Sequence, residues 1–187
     1  MPDSFLGDGL TFEDRLPLAW VEGPLPQGAE LARLNADNHQ LLGAEASLEE
    51  ARGGEALVKE DSPALVHELQ RLEFKLNVLM RLMADLVARS SPLPPVQTTR
   101  LGAHGLEWSH ATEPRVGTTG LVYIYINPAL PQPLKLACKV RGERTEKGAR
   151  LVELEFRDLS EAVQDLLEKL IFRHHRRLIA GARISTG

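Results

Sequence analysis

The chain has 187 residues, 43% of them hydrophobic and 26% charged, so it can bury a core in one or two domains and is neither a minimal scaffold nor a disordered chain. A formal net charge of −4 provides no general attraction to nucleic acid or to an anionic membrane, and no apolar run reaches the length needed to span a bilayer. The single cysteine, Cys138, excludes an internal disulfide framework, and no basic and then apolar leader opens the chain, so a reducing cytoplasm is the expected compartment.

In chain order, residues 1–9 are rich in Asp and Gly and read as a mobile start. Residues 15–21 are mostly apolar and run into the turn-forming stretch 22–28, which predicts a short strand; Pro17 places it at a sheet edge or at the first residues of the strand. Residues 29–51 carry Leu31, Leu34, Leu41, Leu42 and Leu48 near one helical face. Asn38 and Glu45 fall between these leucines. There they either fix register in a helix pairing or lie half-exposed on a loosely packed helix. Gly53 and Gly54 predict a break before the next helix.

That next helix, 62–90, has the most regular pattern in the chain. Leu65, Leu72, Leu79 and Leu86 occupy d positions of a heptad, and Leu69, Leu76 and Met83 occupy a. Ser62 is placed to cap it, Pro63 suits its first turn, and Pro92, Pro94 and Pro95 stop it. At the flanks, Val66, Met80, Leu82 and Val87 widen the apolar face beyond what a two-stranded seam needs, so more than one partner helix is expected. The same face would also suit packing against the chain's own preceding helix.

From residue 96 the period changes. Short β-rich runs at 106–108, 121–126, 134–140 and 150–156 alternate with turn clusters, and the last two alternate apolar and polar residues as half-buried strands do. Residues 143–148 supply the hairpin turn between them, and the set predicts a small antiparallel barrel or sandwich. A closing helix is expected over 160–180, with Asp158 and Glu161 as a capping pair, an apolar face from Val163 to Leu178, and Gly181 as its stop. The cluster Arg173, His174, His175, Arg176 and Arg177 reads either as an anion-binding patch or as a solvated last turn whose cations suit the helix dipole; the second is favoured.

Phosphate-binding loops, dinucleotide fingerprints, nucleophile elbows and zinc-binding helices are all missing from the sequence, so no catalytic residue, metal or cofactor is assigned and the protein is not expected to be an enzyme. The β-rich half, with residues 105–108, 117–126, 134–140, 151–156 and the opening of the last helix at 157–160 in that order, resembles a PilZ domain. The resemblance implies an α+β fold: a six-stranded antiparallel barrel with a C-terminal helix, built from residues 10–22 and 96–182. Residues 27–91 would then be a helical oligomerisation insertion of long coiled-coil helices, as in atypical tetrameric members.

Receptors of this family bind cyclic di-GMP through an Arg-x-x-x-Arg pair and an Asp/Asn-x-Ser-x-x-Gly loop. The loop aligns here with residues 100–105, where only Gly105 matches; Arg100 replaces the acid or amide, Gly102 replaces the serine, and no arginine pair precedes it. Cyclic di-GMP binding is therefore expected to be weak or absent, with Arg100, His104 and Gly105 as a degenerate ligand loop. The expected function is a non-catalytic adaptor in cyclic di-GMP-related or type IV pilus motility signalling. It would self-assemble, with a tetramer favoured, through Leu65, Leu69, Leu72, Leu76, Leu79, Met83 and Leu86, and would dock an unidentified protein partner without contacting nucleic acid or inserting into membrane. The alternative is a cyclic di-GMP receptor acting through the site near Arg100.

Overall fold

The structure, a computed structural model, describes residues 6, 9–52, 63–90, 92–109, 114–127, 130, 132–146 and 148–184. The expectations placed on Ser62, on Gly53 and Gly54 and on most of residues 1–9 lie outside the described residues. The elements run β1 (Thr11–Glu22), α1 (Gly28–Arg52), α2 (Pro63–Ser90), β2 (Val96–Gly102), β3 (Gly105–Ser109), β4 (Thr119–Ile124), β5 (Leu134–Glu146), β6 (Ala149–Phe156) and α3 (Glu161–Ile184).

The six strands close into an antiparallel barrel in the order β1-β2-β3-β6-β5-β4. Alternation explains how this sequence fills it. Leu16 and Leu18 on β1, Val122 and Ile124 on β4, Leu134, Leu136, Cys138 and Val140 on β5, and Val152 and Leu154 on β6 all point inward and are buried. Val163, Leu167, Leu170 and Ile171 of α3 and Leu41 and Leu42 of α1 complete the same core. At about 1.5–3 kcal/mol for each fully buried large apolar side chain, this burial fixes both helices to the barrel.

Pro17 does not mark a strand edge or a strand start. It lies in the middle of β1, where that strand exchanges partners: Thr11 to Pro17 pair with β2 and Leu18 to Glu22 pair with β4. A residue without an N–H is tolerated at this changeover, and its carbonyl still accepts from Tyr125 N–H at 3.1 Å. The hairpin between β5 and β6 is also tighter than expected, because both strands continue to Glu146 and Ala149, with Gly148 at φ 82° in the turn. A register shift between Val140 and Gly142 interrupts that ladder.

Two expectations about α3 are corrected. Its cap is Ser160, whose Oγ accepts from Val163 N–H at 3.4 Å; Asp158 instead takes a left-handed turn at φ 55°. Gly181 does not stop the helix, which continues to Ile184.

Candidate functional site

α2 presents its heptad stripe to solvent. Leu69, Leu72, Leu76, Leu79, Met83 and Leu86 are all exposed, from 48% at Leu69 to 68% at Leu86; Leu65 lies in the first turn of the helix, and its side chain is outside the described residues. On one flank Met80 is half-buried and packs against the core cluster, which includes Leu41 and Leu42 of α1. On the other flank Leu82 is exposed, and so are Val78 and Phe74 beyond it. These last two fall at f and c positions, outside the heptad seam.

α1 is held differently, by polar groups that the sequence alone leaves ambiguous. Asn38 is 2% exposed; its Nδ2 donates to the carbonyl of Lys135 at 2.6 Å, and Lys135 N–H donates to its Oδ1 at 3.1 Å. The side chain thus pairs with the first turn of ladder on β5, in place of either role read from the pattern. Asn35 bridges to the start of α3, donating to Asp158 C=O and accepting from Ser160 N–H, each at 3.0 Å. Glu45 is buried and accepts from Asn127 Nδ2 at 2.5 Å.

The basic cluster of α3 is neither an open anion patch nor merely a solvated helix end. Arg177 Nη1 donates to Glu49 Oε1 at 2.5 Å, Arg173 Nε lies 3.4 Å from Glu49 Oε2, and His174 Nε2 lies 3.8 Å from Glu49 Oε1. Glu49, buried on α1, is the counter-charge that the local sequence around residues 173–177 does not contain. His174 also stacks on Phe12 of β1, with ring centroids 4.5 Å apart, and burial pushes its pKa below the ordinary imidazole value despite the pull of Glu49. Ligand atoms of Glu45, Glu49 and His174 lie within 4.8 Å of one another, but two guanidinium groups already offset the charge of Glu49.

The degenerate ligand loop separates into two environments. Arg100, on β2, donates from Nε to Thr11 Oγ1 at 3.1 Å and lies 3.8 Å from the buried carboxylate of Glu107, which also accepts from Arg144 at 3.0 Å. His104 is exposed in the β2–β3 turn, and Gly105 is the buried first residue of β3. His104 borders a cavity of about 410 Å³ whose walls include Leu10, Gly102, Ala103, Ile171 and Phe172, with Glu168 as its carboxylate. Arg100 is not among the residues lining it. Gln164 ties this rim together, donating to Ala103 C=O at 3.0 Å and to Glu168 Oε1 at 3.1 Å. Cys138 lies inside the barrel, where burial pushes its thiol pKa well up and leaves it a poor nucleophile. No helix among the described residues is long and apolar enough to cross a membrane.

Residues 42–184 match the family described as "Atypical PilZ domain, cyclic di-GMP receptor". Among solved structures, the chain is similar to a pathogenic protein from Xanthomonas campestris, described as a new tetrameric PilZ domain self-assembled via an unusual helical bundle. The TM-score is 0.74 at 29% sequence identity, over 92% of this chain and 91% of that one. No curated protein matches the sequence. With the family match extending across most of the chain and the barrel order and closing helix in place, this protein belongs to the atypical PilZ domain family.

Proposed function

We propose that this protein is a non-catalytic PilZ adaptor that self-assembles through α2, most simply as a tetramer, and docks a protein partner in cyclic di-GMP-related or type IV pilus motility signalling. The observation that carries this reading is the solvent-facing heptad row from Leu69 to Leu86. Each such side chain gains about 1.5–3 kcal/mol when buried, so six of them from every chain can outweigh an association cost of roughly 4–15 kcal/mol. The helical bundle of the Xanthomonas campestris protein supports the same mode of assembly. Residues 27–91 act as the assembly insertion, with α1 seating it on the barrel and α2 carrying the coiled-coil contact. Multi-angle light scattering tests this: a tetramer is expected for the wild type and a monomer for Leu72→Asp with Leu79→Asp. A monomeric wild type at micromolar concentration refutes the assembly.

A second reading is favoured by the cavity beside His104 and by the receptor function in the family description. Here cyclic di-GMP binds at the β2–β3 turn, with Arg100 released from Thr11 to meet a phosphate. Calorimetric titration with the dinucleotide decides it: saturable micromolar binding that is lost in Arg100→Ala supports a receptor, and no heat of binding removes it.

A further inference from the structure

The six strands close into a barrel, so beyond short unpaired stretches such as Val96–Thr98 on the β3 side of β2, no edge among the described residues is available for a partner to extend the sheet. Recognition by the barrel must therefore use outward-facing side chains, and on most of its surface these are charged. The outer face of β2, β1 and β4 departs from that rule. Pairing sets Val96 beside Pro17, Ala19 beside Tyr123 and Val21 beside Leu121, and because inward and outward residues alternate, all six project from the same face. Val96 is 50% exposed and Val21 53%, while the other four are half-buried. Nothing in barrel packing calls for apolar residues here, since the inward positions between them already fill the core.

The charges around this strip have a sign. Lys135 and Lys139 face outward from the neighbouring strand β5, opposite Tyr123 and Thr119, and Arg15 lies two residues before Pro17 on β1. Glu22 is the carboxylate at the far end of the strip. The Lys135 ammonium stands 6.0 Å from the centroid of the Tyr123 ring, so the aromatic group sits at the junction of the apolar and basic parts. Glu13 and Asp14 stand beyond Arg15 on β1 and Glu155 stands beyond Lys139 on β6, all further from the strip, so in a chain of formal net charge −4 the charges directly bordering these apolar residues are mainly cationic.

We infer that this face is a protein-docking surface, and that its partner is an acidic amphipathic helix: apolar side chains set on the Val21–Leu121–Tyr123 strip, with carboxylates reaching Lys135, Lys139 and Arg15. A helix fits because it presents a row of side chains without needing a sheet edge, and Tyr123, half-buried and central, is the anchor. The cations speed encounter and select against basic partners. This deepens the reading of the protein as a docking adaptor and rests on it, while making no use of the assembly through α2.

The test uses the full chain and a fluorescein-labelled helical peptide of Asp, Glu, Leu and Phe with apolar residues at i, i+3, i+4 and i+7, beside a control in which Lys replaces the acids. Fluorescence anisotropy is expected to show saturable, salt-sensitive binding of the acidic peptide only. Affinity should fall about tenfold or more in Val21→Ser with Leu121→Ser, and similarly in Lys135→Glu with Lys139→Glu, the loss expected when central or charge-paired contacts go. The lysine variant keeps the apolar strip intact, so it reads the charge effect even if the serine variant folds poorly. Absence of saturable binding, equal binding of the basic control, or full affinity in both variants overturns the inference; the last of these leaves docking elsewhere on the adaptor standing. A change of oligomeric size in the serine variant also overturns it, by showing that a second copy of the chain covers this face.

Discussion

Replacing Asn38 by leucine separates two accounts of α1 by the sign of the effect. If Asn38 were a polar residue in a helix-pairing seam, leucine would stabilise the pairing and alter the number of chains. In the structure Asn38 holds both the carbonyl and the N–H of Lys135, and leucine strands both. Each buried group left without a partner costs about 1–3 kcal/mol, and the extra apolar burial of leucine returns about 1–2 kcal/mol, so the net loss is roughly 2–3 kcal/mol. For a domain of this size about 1 kcal/mol moves the melting temperature by roughly 2–4 °C, which predicts a fall of about 5–10 °C. Differential scanning calorimetry at fixed protomer concentration, with light scattering on the same sample, makes the comparison. An unchanged or raised melting temperature, or a new oligomer size, would refute the docking role of Asn38.

Glu49→Gln removes the charge that Arg173, His174 and Arg177 share. A loss of about 1–3 kcal/mol in urea unfolding is expected, less than for a fully buried pair because Arg177 can turn to water; no change would mean that the cluster is only surface electrostatics. His174 has its pKa lowered in the folded state, chiefly by burial, so the unfolded chain binds the proton more readily and stability falls as pH drops below about 6.5. His174→Phe should flatten that part of the profile, measured as urea midpoints between neutral and mildly acidic pH, and an unaltered slope would place the titration elsewhere. At Gly120 a methyl group would lie 2.3 Å from Val21 O and 2.9 Å from Trp20 Cζ2. Gly120→Ala should therefore cost about 2–3 kcal/mol or more by overpacking, seen as a lower melting temperature, and a neutral result would require that β1 and β4 separate there easily.

How far the sequence could be read depended on whether a signal was local. The strands β5 and β6 were legible because Leu134, Leu136, Cys138, Val140, Val152 and Leu154 alternate within a few residues of one another. β2 has no such local signal, since Val96–Gly102 carries Gln97, Thr98, Thr99 and Arg100 and few apolar residues to show a period. Asp158 and Ser160 are both good capping residues, so the local sequence does not separate them; the left-handed turn at Asp158, whose carbonyl accepts from Asn35 on a helix 123 residues earlier, decides for Ser160. In the candidate ligand loop, the loss of the usual motif residues was visible, but not that Arg100 points to Thr11 and Glu107 while His104 borders the cavity.

The sequence by itself determined the apolar row of α2, because a heptad needs only the spacing of residues along one helix. It also carried the barrel family, through the order and alternation of its strands. Only the tertiary structure decided which helix faces stay in solvent and which polar residues are spent on docking. Asn38, Glu45 and Glu49 look alike in the α1 pattern, yet their partners are Lys135, Asn127 and the Arg173–Arg177 turn, roughly eighty to one hundred and thirty residues away. Such pairings depend on where the closed barrel brings its strand ends, which no local period records.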